Sequence, residues 1–507
     1  MKNINKYIGL VSVLILIFLI SCSKFDEINT NPDTTTKVPA SMECTNIVLN
    51  MIGDGGLAMG FISANALPKY VGFTLLGKNS SQYNNTGSSG FGAMTILPNI
   101  DAMLEAAKGS TMENSYIAIA HFAKAYEFYY MTMWMGDIPY SEAGMGAEGL
   151  YRPKYDTQEE VFIAVLNELK AADSSFAIGI KFDGDPTPYA GDPQKWRKAV
   201  NAFALKVLMS LSKKEGVASL NVTNRFAEIV AAGNLMDKTT GYLGLAYSTQ
   251  NKHPLNAAVM FVPKTVISKL FLDNLKILND RRLFYFCEPA LALTIAGKVQ
   301  SDTAAYRGVD VAMDYDAMNV EYKAGKLSQI NKRYEKEDAC EPRMMMTFAE
   351  QQLILAEASI RGWITTGSAQ TYYEDGVKAA LGYIMSTKSS YAHTVPIDAT
   401  YINGYFTGEA AFKTTPDEQL KQIWMQEYIL RFMQDADFSY FEYRRNHYPE
   451  FPINPASSMN ENNTSAIPMR ALYPGSETSY NRENLIIALD RQYDGYDEIN
   501  KIMWLLK

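Results

Sequence analysis

Residues 113–134 read ENSYIAIAHFAKAYEFYYMTMW, and the class of fold is decided here. Tyr116, Ala120, Ala123, Tyr130 and Trp134 recur at helical spacing and share one face, while Ala, Met and Tyr dominate the stretch. A second helix is announced by Thr157 and Glu160, at capping-box spacing ahead of Val161, Val165, Leu166 and Leu169. A third opens on Asp192-Pro193, a cap followed by an N1 proline, and carries the stripe Trp196, Val200, Phe203, Ala204, Val207, Leu208, Leu211. Successive helices of about 15 to 20 residues, rich in Ala, Tyr and Leu, predict an all-α fold built as a tetratricopeptide-like helical-repeat scaffold. No clean self-similarity at the period of about 34 residues accompanies them, so periodicity alone also fits an irregular helical bundle.

Working outward, Glu43–Ile52 reads as a helix, and Phe226–Ala232 as a short one stopped by Gly233. Helical signal returns at Arg343, where Ala349, Leu353, Ala356 and Ile360 make a face ended by Gly362, with Tyr372–Met385 as its partner. Thr415-Pro416-Asp417-Glu418 combines a capping box with an N1 proline, and opens Leu420, Ile423, Trp424, Tyr428, Phe432. Between these lie stretches without a stripe. Asn79–Gly92 is a Ser/Asn/Gly-rich loop. Residues 240–340 hold Pro254, Pro263 and Pro289 and one helical piece, Val266–Leu278; after Phe438 the chain reads as aromatic, Pro-rich loop to its end. The expected organisation is a single domain, 43–507, with its helical scaffold mainly in 43–240 and 341–435 and its ligand or interface loops mainly in 241–340 and 438–507.

Ahead of the domain stands a leader. Lys2 and Lys6 precede an uncharged run from Tyr7 to Ile20, closed by Leu19-Ile20-Ser21-Cys22. A membrane-spanning helix needs about 20 apolar residues; this shorter run reads as a signal-peptide core over 1–21. A small residue followed by Cys marks lipoprotein processing, which would leave Cys22 as the acylated first residue, with two lipid anchors on one site. Residues 22–42, polar and broken by Pro32, form a tether. Removing Lys2 and Lys6 takes the formal charge from -8 to -10, which argues against nucleic acid and anionic headgroups as partners. Three cysteines would remain, Cys44, Cys287 and Cys340, with no CxxC spacing. Neither a disulfide framework nor a zinc site is indicated, and at most one pair could form. The 32 tyrosines exceed what a core readily absorbs, because a buried hydroxyl wants a partner, so some belong on surfaces.

Motifs for catalysis or cofactors are wanting. Gly144, Gly146 and Gly149 have dinucleotide-fingerprint spacing, but no strand precedes them and Pro153 follows soon after. Asp490, Gln492, Asp494 and Gly495 imitate half of a calcium loop, yet the twelfth position is Lys501. No cofactor or metal is expected. His121 reads as a satisfied core histidine, and Glu427–Arg431, with Glu350 and Glu357 on one helix face, as bridges between stacked helices.

Read together, the motifs resemble the SusD/RagB family of nutrient-binding outer-membrane lipoproteins. The likeness is carried by the Cys22 lipobox, by Trp134-Met135-Gly136-Asp137-Ile138-Pro139-Tyr140 after the Tyr-rich helix, and by Trp196-Arg197-Lys198-Ala199. Further along stand Glu341-Pro342-Arg343, Ala349-Glu350 and Ala356-Glu357-Ala358; then Gln422-Ile423-Trp424-Met425-Gln426-Glu427 with Glu442-Tyr443-Arg444-Arg445; and finally Ile467-Pro468-Met469-Arg470 with Tyr473-Pro474, Glu477 and Asn481. Asp26-Glu27, close behind Cys22, resembles the surface-export signal of such lipoproteins. The resemblance implies a non-enzymatic, lipid-anchored, surface-exposed outer-membrane protein that captures a nutrient oligomer and closes on a SusC-like TonB-dependent transporter. A glycan is the first expectation for the ligand and a peptide the second; a lipid-anchored glycoside hydrolase and a structural adhesin are the rivals.

Sugars offer apolar CH faces and many hydroxyls, so a site needs an exposed ring on a loop beside amide or guanidinium donors. Two stretches meet that test: the polar loop with Lys78, Asn79, Gln82, Tyr83 and Asn84, and the mid-chain segment with Tyr306, Arg307, Asp310 and Tyr315. In the resembling family, loops from these regions face each other. The Pro-rich stretches around Tyr448 and Tyr473 stand next in line.

Overall fold

The computed structural model describes residues 38–53 and 58–507. The leader, Cys22 and most of the tether lie outside the described residues. The scaffold opens with α1 (Ala40–Ile52), α2 (Ala58–Ala66) and α3 (Leu97–Ala107), and continues through α4 (Glu113–Met135), α5 (Gln158–Ile178), α6 (Pro193–Ser210) and α7 (Val222–Ala232). α4 packs on α5, α5 on α6 and α6 on α7. The capping box of α5 forms as read: Glu160 N–H donates to Thr157 Oγ1 at 3.2 Å, and Thr157 N–H to the Glu160 carboxylate at 2.8 Å. Asp192 likewise accepts from the N–H groups of Gln194 and Lys195 at the head of α6. α4 is buried on most of its circumference, from Tyr116 and Phe122 to Tyr129 and Met133. It is the axis of the stack, which is why its single stripe is blurred in sequence.

The stack resumes with α8 (Lys269–Ile277), α9 (Tyr315–Lys323), α10 (Phe348–Ile360), α11 (Ala369–Met385), α12 (Pro416–Leu430), α13 (Ala436–Asn446) and α14 (Arg482–Tyr493). α10 packs on α6, α11 and α12, joining the two halves. One buried cluster runs from Ala40 to Leu506. Two antiparallel ribbons tie the irregular middle to the scaffold: β1 (Val71–Phe73) on β3 (Thr265–Ile267), and β2 (Tyr242–Leu245) on β4 (Arg343–Thr347).

Several expectations need correcting. The first helix starts at Ala40, inside the expected tether. Val266–Leu278 begins as strand β3, and Arg343–Thr347 is β4, with the helix starting only at Phe348; both are short apolar runs whose strand partners are distant in sequence. Thr415 caps no backbone N–H; its hydroxyl donates to Glu418 instead. The chain after Phe438 is not loop to its end. α13 is buried on nearly every face, including Glu442, Arg444 and Arg445, so it shows no stripe; α14 buries Leu485, Ala488 and Leu489 while leaving Ile486 and Ile487 exposed, so its apolar residues occupy both faces.

The expected bridges form a buried network crossing α6, α10, α12 and α13. Lys206 Nζ lies 3.0 Å from Asp435 and 3.3 Å from Glu350; Arg431 reaches Glu350 at 3.0 Å and Glu427 at 3.6 Å. Arg445 joins Glu357, at 2.6 Å, to Glu442, and Arg361 adds a second guanidinium to Glu357 at 2.8 Å. The three carboxylates Glu357, Glu427 and Glu442 approach within 4.8 Å of one another, but the Arg445 guanidinium already bridges two of them. His121 is half-exposed rather than in the core, with its Nδ1 against Glu168. Cys44, Cys287 and Cys340 are free thiols, and no helix among the described residues is long and apolar enough to cross a membrane.

Candidate functional site

The two loops singled out in sequence meet, and the β1–β3 ribbon is the reason. Gly72 pairs with Val266, where a Cβ would stand 3.0 Å from Met318 Sδ and 3.2 Å from Val311. Around this contact Val266, Val309, Val311, Met318 and Leu327 form a small core of their own, with Met313 and Tyr315 packed against it. Gln82 crosses from one loop to the other: its Oε1 accepts from Phe73 N–H at 2.9 Å and its Nε2 donates to the Val311 carbonyl at 3.0 Å. Gly77 N–H donates to the Tyr315 hydroxyl at 3.1 Å, and Lys78 Nζ lies 3.9 Å from Asp314.

A buried lysine braces the loop from beneath. Lys69 Nζ donates to the Gln82 carbonyl at 2.5 Å and to Asn84 Oδ1 at 2.7 Å. Burial lowers its pKa to about 7, against the opposing pull of Asp310. A third segment, from the 438–507 stretch, completes the junction: Met459 N–H donates to the Tyr83 carbonyl at 2.7 Å, and Ser457 Oγ to the Ala312 carbonyl at 2.5 Å.

The individual side chains take roles other than those expected of several. Tyr83 is 1% exposed, its hydroxyl donating to the Met313 carbonyl at 2.9 Å, and Gln82 and Asn84 are equally enclosed. Asn79 turns inward to Ser63 at 2.8 Å. Tyr306, 2% exposed, packs against Phe284 and His393 with its hydroxyl on the Gln300 carbonyl. These rings do not meet the requirement of exposure, because each hydroxyl is spent on a backbone carbonyl, that of Tyr83 in the facing loop and that of Tyr306 in its own segment. Arg307 remains accessible but is held by Glu321 at 2.9 Å. What the junction presents outward is half-buried Tyr315 beside Lys78 and Asp314, with the exposed Leu76 next to them. Asp314 also caps α9 through the N–H groups of Asp316 and Ala317, so its carboxylate is held in place.

The signature phrases have structural work. Asp137 accepts from Gln158 N–H and from Arg491 Nε, each at 2.8 Å, and its carbonyl takes the Tyr473 hydroxyl at 2.6 Å. At Gly136, with φ +92°, a Cβ would come within 2.0 Å of Gln492 Oε1. Tyr473 is thereby spent, whereas Tyr448 stands with Trp424 in a surface hollow of about 440 Å³. The half calcium loop is the last turn of α14, holding Asp490 and Gln492, followed by a turn whose Asp494 is bound by Lys501 at 3.0 Å.

A family model, SusD-like, described as starch-binding and associating with the outer membrane, matches residues 32–474. The chain belongs to the SusD/RagB family. Among solved structures, a SusD homologue from Bacteroides fragilis is 37% identical with a TM-score of 0.88, covering 93% of this chain and 100% of its own. A second SusD homologue from the same species is 32% identical with a TM-score of 0.81 over the same shares. A chitin-binding SusD homologue from Flavobacterium johnsoniae, 18% identical, shares the fold at a TM-score of 0.71, covering 92% of this chain and 98% of its own. No curated protein matches. This SusD/RagB chain carries the phrases behind the resemblance, among the described residues, largely on the helical stack and on the contacts of Asp137 and Tyr473 near α14, whereas the loop junction is made of residues outside them. The 454–465 contribution falls within the 438–507 stretch expected to hold ligand or interface loops, but no residue of it is singled out in sequence, its local signal being Pro452 and Pro455 in an Asn-rich stretch.

Proposed function

We propose that this protein is anchored by a lipidated Cys22 at the outer surface of the outer membrane, captures a nutrient oligomer without chemical change, and delivers it to a SusC-like TonB-dependent transporter. The observation that carries the reading is the three-loop junction: Tyr315, Lys78 and Asp314 presented on a dedicated small core beside a braced loop. A ring flanked by charged hydrogen-bonding groups suits a sugar's CH face and hydroxyls. A glycan is therefore the first ligand class, with starch and chitin oligosaccharides, named for the family and for one relative, as the first to test; a peptide is the second. The nearby carboxylates Asp310 and Asp314 are engaged in turn and cap hydrogen bonds, which supports binding over hydrolysis.

Calorimetry with such oligosaccharides on the wild type and on Tyr315→Ala and Lys78→Ala tests the site. Loss of one aromatic contact worth about 0.5 to 1.5 kcal/mol corresponds to roughly two- to tenfold weaker binding, at unchanged melting temperature. Unchanged affinity in both variants removes the junction from the site. Turnover of a polysaccharide by the pure protein, abolished by one Asp or Glu substitution, would make it a hydrolase. Recovery of a barrel-sized transporter with the protein in mild detergent would support delivery.

A further inference from the structure

A cavity of about 400 Å³, sharing no lining residue with the loop junction, lies between the β2–β4 ribbon, the start of α10, the C-terminal half of α11 and the end of α12. Its walls are chiefly apolar: Phe286, Phe348, Ile384, Leu430 and Phe432 contribute, with the rings of Tyr242 and Tyr383. The volume falls in the range of about 300 to 1,000 Å³ usual for small-molecule sites, and an apolar hollow of that size left unfilled is unfavourable. Such walls do not suit a sugar.

The charged groups around this cavity say what the head of an occupant should be. Arg282 is bound to Asp280 at 2.6 Å, and Glu341 to Arg333 at 2.6 Å. Lys378 is paired with Glu374 at 3.0 Å. That leaves Lys238, exposed on the turn before β2, as the lining cation with no ion pair or hydrogen bond among the described residues. Gln434 adds a neutral polar group at the wall, its Oε1 already taken by Met344 N–H at 3.0 Å. An apolar chamber with one unmatched positive charge complements a molecule with an apolar body and one negative end.

We propose that this cavity binds an amphipathic monocarboxylate, with the hydrocarbon against Phe348, Ile384 and Phe432 and the carboxylate at Lys238. The site is separate from the loop junction and does not depend on the glycan reading.

The test is displacement of the fluorescent probe N-phenyl-1-naphthylamine from the full chain by dodecanoate, dodecanol and dodecylamine. Dodecanoate should compete at least several-fold better than the other two. Lys238→Ala, a change at an exposed side chain, should erase that preference and leave probe binding intact. Ala380→Leu, which places four carbons' worth of side chain on the α11 wall, should abolish binding of probe and dodecanoate together, with a melting temperature no lower than wild type. Failure of the probe to bind, equal competition by all three amphiphiles, or a carboxylate preference that survives Lys238→Ala would overturn the proposal. Should Ala380→Leu fail to fold, the Lys238→Ala result decides alone.

Discussion

Glu357 and Glu427 sit in the same buried network, and replacing each by Gln should have different consequences. The carboxylates Glu350, Glu357, Glu427, Asp435 and Glu442 share the cations Lys206, Arg361, Arg431 and Arg445, with Glu215 also on Arg361 and Arg343 acting on Asp435. Glu357 is the best served. Burial alone would raise its pKa, but Arg445 and Arg361, with the Trp424 indole N–H at 2.9 Å, hold it well below the carboxylate range. Glu427 is the worst served: burial raises its pKa, Arg431 at 3.6 Å offsets part of that rise, and Glu442 and Glu357 raise it again against a smaller pull from Arg445. Glu427 is therefore the carboxylate of the network whose raised pKa keeps its proton above the ordinary carboxylate value. In Glu357→Gln an amide N–H₂ would face donors, breaking a buried pair at about 3 to 5 kcal/mol, a large part of a typical stability of about 5 to 15 kcal/mol. Below about pH 4.5 Glu427→Gln replaces a neutral acid by a neutral amide and should change stability by less than about 1 kcal/mol, and above that pH the variant should gain on the wild type. The sign with pH follows from linkage. Below the ordinary carboxylate value of 4.5 both states hold the Glu427 proton and its contribution is fully present. As pH rises towards the raised folded value only the folded state keeps it, and stability falls by about 1.4 kcal/mol per pH unit. Urea denaturation of wild type and both variants across that range is the assay, and the wild-type minus Glu427→Gln difference isolates the group. A Glu427→Gln variant as unstable as Glu357→Gln, or one with the wild-type pH slope, would refute the charge assignment.

Other outcomes can be stated more briefly. Tyr83→Ala should cost about 3 to 5 kcal/mol, as for other buried aromatics, and lower the melting temperature, while Tyr315→Ala should weaken ligand binding and leave melting unchanged; calorimetry and thermal melts separate them. Lys69, with its folded pKa depressed to about 7 from 10.5, should make wild-type stability rise through that interval, since there the unfolded chain binds a proton the folded one has shed; Lys69→Met should lose the rise in parallel urea titrations. Gly72→Val should overpack the contact with Met318 and Val311 by about 1 to 3 kcal/mol, loosening the loop junction, which amide exchange at Gly77 and Gln82 would report. Cys22→Ser should leave a protein that incorporates no labelled fatty acid and no longer fractionates with the outer membrane; retention of either would end the anchoring reading.

Local chemistry determined much of this protein. Thr157–Glu160 and Asp192-Pro193 set helix starts through contacts within a few residues, so their sequence is their structure, and the stripes from Trp196 to Leu211 and from Ala349 to Ile360 mark helices that stack. The order of these helices and the phrases between them were enough to point to the family, and the two loops named for the site do meet. Which side chains face outward was decided only in three dimensions. Tyr83 and Tyr315 both stand in stretches without a stripe, yet one closes a carbonyl 230 residues away and the other, the first residue of α9, lies half open with its hydroxyl on Gly77 N–H. The lysine that braces the loop, the segment at Ser457 and Met459, the helices α13 and α14, and the apolar cavity behind Lys238 all arise from partners remote in the chain. The physical reason is that a helix start is satisfied by its own neighbours, whereas the exposure of a ring and the pairing of a charge depend on which distant backbone groups and ions fold against them.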